Sequence, residues 1–127
     1  MLATMDAAAA LAELTDISPQ IRRVVVVGAD GAVVGSNAAD ADAAARLAEG
    51  GLRLAAEADE VRGGRVAQLE AATGVGSVFV VRDAGRTIVA TTRAEPTVGL
   101  VFYDLKTALR SIDGHAGPGG GEDDAAA

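Results

Sequence analysis

The chain has 127 residues, enough for one domain with a buried core; half of them are hydrophobic but only 2% are aromatic. A formal charge of −7 argues against nucleic acid as a partner and against insertion into anionic membranes, because binding to phosphates needs a basic patch that can displace counterions. The absence of cysteine excludes disulfides, thiolate chemistry and sulfur-ligated zinc.

No apolar run in the sequence approaches the roughly 18–20 residues of a membrane span. The first residues carry no basic stretch ahead of an apolar one, so the expected compartment is the cytoplasm. Most of the hydrophobic residues are alanine and valine, which predicts a core of small side chains. Full burial of a valine or leucine is worth about 1.5–3 kcal/mol and that of an alanine far less, so such a domain has reason to bury further area by self-association.

In chain order, the segment MDAAAALAELTDI sets Leu11, Leu14 and Ile17 beside several alanines at helical spacing, and Ser18-Pro19 ends it; a short amphipathic helix is expected. In IRRVVVVGADGAVVGSN, two β-branched runs flank Asp30-Gly31, which is a hairpin signal. The consecutive valines Val24 to Val27 predict a strand covered on both faces.

Residues 40–62 read as the longest helix, with Asn37 or Asp40 as its cap. Arg46, Glu49, Arg53, Glu57 and Glu60 recur at steps of three and four along one face. Leu47, Leu52, Leu54, Ala44, Ala48, Ala55, Ala58 and Val61 spread over an arc wider than the roughly 100° that lets a helix lie on one sheet. The surplus predicts a second neighbour. Gly50 and Gly51 fall in the middle of this helix, where each costs about 0.8–1.0 kcal/mol relative to alanine. They predict either a close helix-helix contact across a dimer axis or a break between two shorter helices.

After Gly63-Gly64 the runs RVAQLEAAT, SVFVVRDA and RTIVATT, separated by Gly-Val-Gly and Ala-Gly turns, predict a three-strand meander. In the first run Val66, Gln68 and Glu70 alternate with Ala67, Leu69 and Ala71, the pattern of an edge strand. Pro96 then precedes GLVFYDLKTALRSI, where Val98, Val101, Leu105, Ala108, Leu109 and Ile112 share one stripe of a final helix. Residues 1–112 are thus expected to form one domain, and residues 113–127, Gly-rich and acidic, a disordered tail.

Little in the sequence points to chemistry. His115, the only histidine, falls in the tail, so neither a His-based triad nor a His-ligated metal is expected. The clusters GADGAVVGS and GVGS lack the Gly-Lys-Ser/Thr ending of a phosphate loop and the fingerprint of a dinucleotide fold. Asp40 with Asp42, and Asp59 with Glu60, lie on or beside a charged helix face and are expected to be solvated. Tyr103 and Asp104 have no third partner for acid-base work. No catalytic residue, metal or cofactor is expected, and the residues point to a binding module.

The order helix, two strands, long helix, three strands, helix, together with VVVVGADGAVVGS and GSVFVVRDAGRTIVATTRAEPTVGLVFYDLKTALRSI, resembles the roadblock / dynein light chain family over about residues 6–112. The resemblance is to its bacterial members in particular, which regulate Ras-like small GTPases. It implies an α/β (α+β), profilin-like architecture in which a five-stranded antiparallel sheet carries the first and last helices on one face and the long helix on the other. It also implies a homodimer joined through the long helix and the strand after it, with Leu47, Gly50, Gly51, Leu54, Ala58, Val61, Val66, Gln68 and Glu70 at the interface. Pairing through the sides of two long helices leaves Arg46, Glu49, Arg53, Glu57 and Glu60 on one surface, the candidate GTPase-binding ridge.

The function so implied is that of a non-enzymatic adaptor that binds a Ras-like small GTPase and modulates its nucleotide cycle. The alternatives are a structural dimerisation scaffold of a signalling or motility complex and a small-ligand sensor, the latter opposed by the scarcity of aromatic and convergent polar residues. Within the implied fold, Phe102 and Tyr103 are expected to anchor the last helix over an alanine-rich sheet.

Overall fold

The computed structural model describes residues 6–112, so the expected tail at 113–127 lies outside the described residues. In chain order the elements are α1 (Ala7–Ile17), β1 (Ile21–Val27), β2 (Val33–Ser36), α2 (Ala41–Arg62), β3 (Gln68–Thr73), β4 (Gly76–Asp83), β5 (Arg86–Thr92) and α3 (Val98–Arg110). The five strands form one antiparallel sheet in the order β2-β1-β5-β4-β3. The meander therefore folds back so that β5 pairs with β1, which leaves β2 and β3 as the two edges. This is the architecture that the resemblance implies.

The valine run works by alternation. Val24 and Val26 join the core beneath α1 and α3, with Leu11, Leu14, Phe79, Ile88, Leu105 and Leu109. Val25 and Val27 face the other way, into the core beneath α2 with Ala44, Ala48, Ala55, Val80 and Val89. All four valines are fully buried, so β1 is the strand on which both layers rest.

Asp6 caps α1 by accepting a hydrogen bond from the Ala9 N–H at 2.8 Å. A Cβ at Gly35 would stand 2.7 Å from that of Ala7, so this glycine lets α1 lie directly on β2. The buried stripe of α1 stops at Leu14; Ile17, on the last turn, borders the crevice between α1 and α3 and stays 58% exposed, against the expectation from its spacing. In α3, Phe102 meets Phe79 edge to face with ring centroids 5.0 Å apart. Tyr103 is not an anchor: one step further round the helix it reaches the outer surface, where it is 67% exposed.

The cap of α2 is Asp40, whose Oδ1 accepts from the Ala43 N–H at 2.8 Å. Asn37 braces β1 instead, accepting from the Val24 N–H at 2.7 Å and donating to the Arg22 carbonyl at 3.0 Å. The helix runs unbroken through Gly50-Gly51, so the reading as two shorter helices is overturned. Gly51 is buried, and a Cβ there would overlap the Val89 side chain, whereas one at Gly50 would meet nothing. The missing side chain of Gly51 is thus required by the sheet of its own chain, a contact that the sequence reading did not consider.

Gly51→Ala should therefore destabilise the fold by about 1–2 kcal/mol net, overpacking against Val89 outweighing the gain in helix propensity. Urea denaturation checks this, and an unchanged or raised midpoint would mean that α2 does not need the close approach.

Candidate functional site

The α2 residues fully buried against the sheet are all small, Ala44, Ala48, Gly51 and Ala55, with Leu47 and Leu52 packed partly buried at its margins. At about 100° per residue, Leu47, Leu54, Ala58 and Val61 fall on one flank of the helix. Leu47 is half-buried against the sheet, Leu54 is 36% exposed and Val61 is 83% exposed. This flank and Val78 of β4 bound an open groove of about 390 Å³, with Leu47, Gly50, Gly51 and Leu54 along it and Arg46, Arg53 and Glu57 at its rim.

Beyond Val78 lies β3, bonded to β4 on one side only. Its outer edge presents backbone donors and acceptors to any strand that can align with them. The strand begins at Gln68, three residues later than the run starting at Arg65 predicts, because the Val66 N–H donates to Asp59 Oδ1 at 2.7 Å instead of entering the sheet. Val66 is thereby removed from the edge strand where the sequence placed it. Gln68 is exposed and Glu70 half-buried, its Oε2 accepting from Ser77 Oγ at 2.7 Å.

The structure thus gathers Leu47, Gly50 and Leu54 in one groove, continues their flank through Ala58 and Val61, and places Gln68 and Glu70 on the neighbouring edge strand. Arg46, Glu49, Arg53, Glu57 and Glu60 are all exposed. The one ion pair they make among the described residues, Arg53 with Glu49 at 3.9 Å, is 72% exposed on both sides and holds little stability, as is usual of solvated pairs. The ridge is therefore free to exchange partners.

Sequence reasoning missed the role of Asp59. Far from being merely solvated, it accepts the Val66 N–H and pairs with Arg82 of β4, whose Nη2 lies 3.1 Å from both carboxylate oxygens. The Arg82 side chain is 7% exposed. The Asp59 carbonyl also receives the N–H groups of Gly63 at 2.8 Å and Gly64 at 3.2 Å, closing the helix with Gly63 in the left-handed region. A signal was present: a carboxylate in the last turn of a helix opposes the dipole, and an arginine that follows the apolar run Val78 to Val81 on a strand needs a partner. The Val66 N–H, followed by the hydrogen bond and charge of Arg82 and the charge of Arg65, holds the Asp59 carboxyl below its ordinary value of 3.8 despite a contrary effect of burial.

Among the described residues no cluster of three or more His, Cys, Asp or Glu could hold a metal, and no helix is long and apolar enough to cross a membrane. What the surface offers is association: an open strand edge, an apolar groove beside it and a charged rim.

No protein-family model and no curated protein matches the sequence. Among solved structures, a Roadblock/LC7 domain from Streptomyces avermitilis superposes with a TM-score of 0.73 at 20% identity, covering 84% of this chain and 93% of that one. A second Roadblock/LC7 domain from Streptomyces is 27% identical, with a TM-score of 0.62 and coverage of 82% and 95%. MglB of Myxococcus xanthus is 17% identical, with a TM-score of 0.64 and coverage of 80% of each chain. The chain has the Roadblock/LC7 fold.

The depressed pKa of Asp59 carries a sign. Its stabilisation is fully present above the unfolded value, 3.8, and is lost as pH falls through the lower folded value. Asp59→Asn should be less stable than the native chain at neutral pH, and the gap should narrow at an acid pH below 3.8, where the native carboxylate becomes protonated. Urea midpoints at both pH values measure this; a gap independent of pH would remove the carboxylate from the account.

Proposed function

We propose that the chain is a non-enzymatic homodimeric adaptor that binds a Ras-like small GTPase and modulates its nucleotide cycle. The observation that carries the dimer is the continuity of the open β3 edge with the uncovered flank of α2. Two copies related by a two-fold axis can pair β3 with β3 and α2 with α2, extending the sheet and covering Leu47, Gly50, Leu54, Ala58 and Val61, with Gln68 and Glu70 on the joined strands. Self-association has a parallel in the fold, since one MglB structure shows a tetrameric arrangement.

The GTPase part rests on the resemblance to bacterial roadblock proteins and on the exposed ridge Arg46, Glu49, Arg53, Glu57 and Glu60, which pairing leaves on the surface. Rim charges of this kind chiefly steer encounter and select the partner. The adaptor supplies surface and position; the hydrolytic machinery belongs to the GTPase.

Light scattering should give twice the chain mass at micromolar concentration, and a monomer there would remove the dimer. Leu54→Glu or Ala58→Glu should weaken association by about ten- to a hundredfold, because a charge forced into the contact must be desolvated. With the dimer established, Arg46→Glu combined with Arg53→Glu should slow association with the cognate GTPase and alter its salt dependence, leaving mass and fold intact. Unchanged kinetics in that variant would move the docking site off the ridge.

A further inference from the structure

We propose that the end of the sheet where β1 begins and β5 finishes is a recognition site for a short acidic segment of a partner protein, read by Arg22, Arg23 and Arg93. These residues lie far apart in sequence, and the sheet brings them together. Ile21 is the register partner of Thr92 and Arg23 that of Thr91, while the Arg93 N–H donates to the Gln20 carbonyl at 3.0 Å. All three arginines are exposed, and none has an ion-pair partner among the described residues. In a chain of net charge −7, three exposed arginines at one end of the sheet are a local concentration of positive charge.

The backbone beneath the cluster is held on both sides. Asn37 fixes the strand at Arg22 and Val24 through its amide. Gln20, itself buried, holds the β5–α3 loop twice, its carbonyl at Arg93 and its Oε1 at the Thr97 N–H, 2.6 Å away. Within that loop Glu95 sits at φ +54, a conformation a glutamate adopts at a cost. The register slips between Ile21 and Arg23, a bulge of the kind that re-aims a side chain. Val24 faces the α1 and α3 layer and Val25 faces α2, so alternation sets Arg23 on the α2 side.

Guanidinium groups carried on a held backbone suit carboxylates, which they bind in paired hydrogen bonds. The size of the site limits the ligand. Glu95, two residues from Arg93, is an exposed acid, and the chain's net charge of −7 disfavours a duplex or an anionic bilayer, whose extended charge would face much more of the chain than the arginines. A short acidic peptide reaches the arginines alone.

The proposal rests on the adaptor reading only in that the ligand is protein. The cluster sits on β1 and β5, separated from the β3 edge by β4. The probe is a labelled hexaglutamate peptide added to the full chain at low salt, followed by anisotropy and by amide chemical shifts, with hexalysine as control. Shifts should concentrate at residues 20–24 and 91–95. Binding should fall about tenfold in the folded variant carrying Arg22→Ala, Arg23→Ala and Arg93→Ala, and should weaken in moderate salt. Shifts elsewhere, or equal binding by the variant, would overturn the site. Arginine-dependent binding of duplex DNA or phosphatidylserine vesicles without hexaglutamate binding would overturn the ligand class. Mass measured on the same samples separates the two readings: a dimer that ignores hexaglutamate loses the cluster alone, and a monomer that binds it loses the dimer alone.

Discussion

The rest of the structure depends on how closely α2 sits on β5 and β1. Gly51 has no room for a Cβ above Val89, and the other side chains fully buried at the contact are Ala44, Ala48 and Ala55, with Leu47 and Leu52 only partly buried at its margins. A helix that approaches so closely cannot place a leucine beneath itself, so its larger residues are displaced sideways. Leu47, Leu54 and Val61 go to one flank, where they border an open groove. The same small contacts bury little apolar area, and burial is the main source of stability. Close seating thus creates both an uncovered apolar flank and a reason to cover it.

Local patterns made much of this fold legible. Four valines in a row fit a strand covered on both faces, and Val24 to Val27 alternate between the two cores. Asp40 at the start of α2, the Asp30-Gly31 turn and the Ala84-Gly85 turn, both of whose residues have positive φ, are written within a few residues of sequence. Where neighbouring residues competed for one role, the sequence did not choose between them. Asn37 and Asp40 are both good caps, and only the strand at Val24 draws Asn37 away. Phe102 and Tyr103 are both large rings, and the helix turns one toward Phe79 and the other to solvent. Gly50 and Gly51 are identical in type, and Val89 on a strand far along the chain distinguishes them.

Contacts distant in sequence were not legible in that way. The Asp59–Arg82 pair spans the α2–β3 connection and most of two strands, and Val66 joins it only because the chain after Gly63 turns back toward the helix end. That pair sets where β3 starts, and hence which residues form the sheet's edge. The arginine cluster is of the same kind. Composition argued against a basic patch from the net charge of −7. It says nothing about three arginines collected by strand register.

The two edges of the sheet differ in a way that bears on association. β2 spans Val33–Ser36, and its register with β1 slips between Val26 and Val27. Short length and a bulge are both features that discourage a further strand. β3 spans Gln68–Thr73 and keeps an unbroken register with β4 from Gln68 opposite Val81 to Thr73 opposite Gly76. Its outward row of backbone groups is therefore evenly spaced, and its register partner Val78 lines the groove beside α2. Of the two edges, β3 combines regular geometry with an adjoining apolar surface, whereas Val33 and Val34 on β2 are exposed beside a bulge. Sheet extension at β3 joins backbone pairing to apolar burial in one contact; at β2 the slipped register works against the pairing. This difference is the physical basis for placing the proposed homodimer contact at β3.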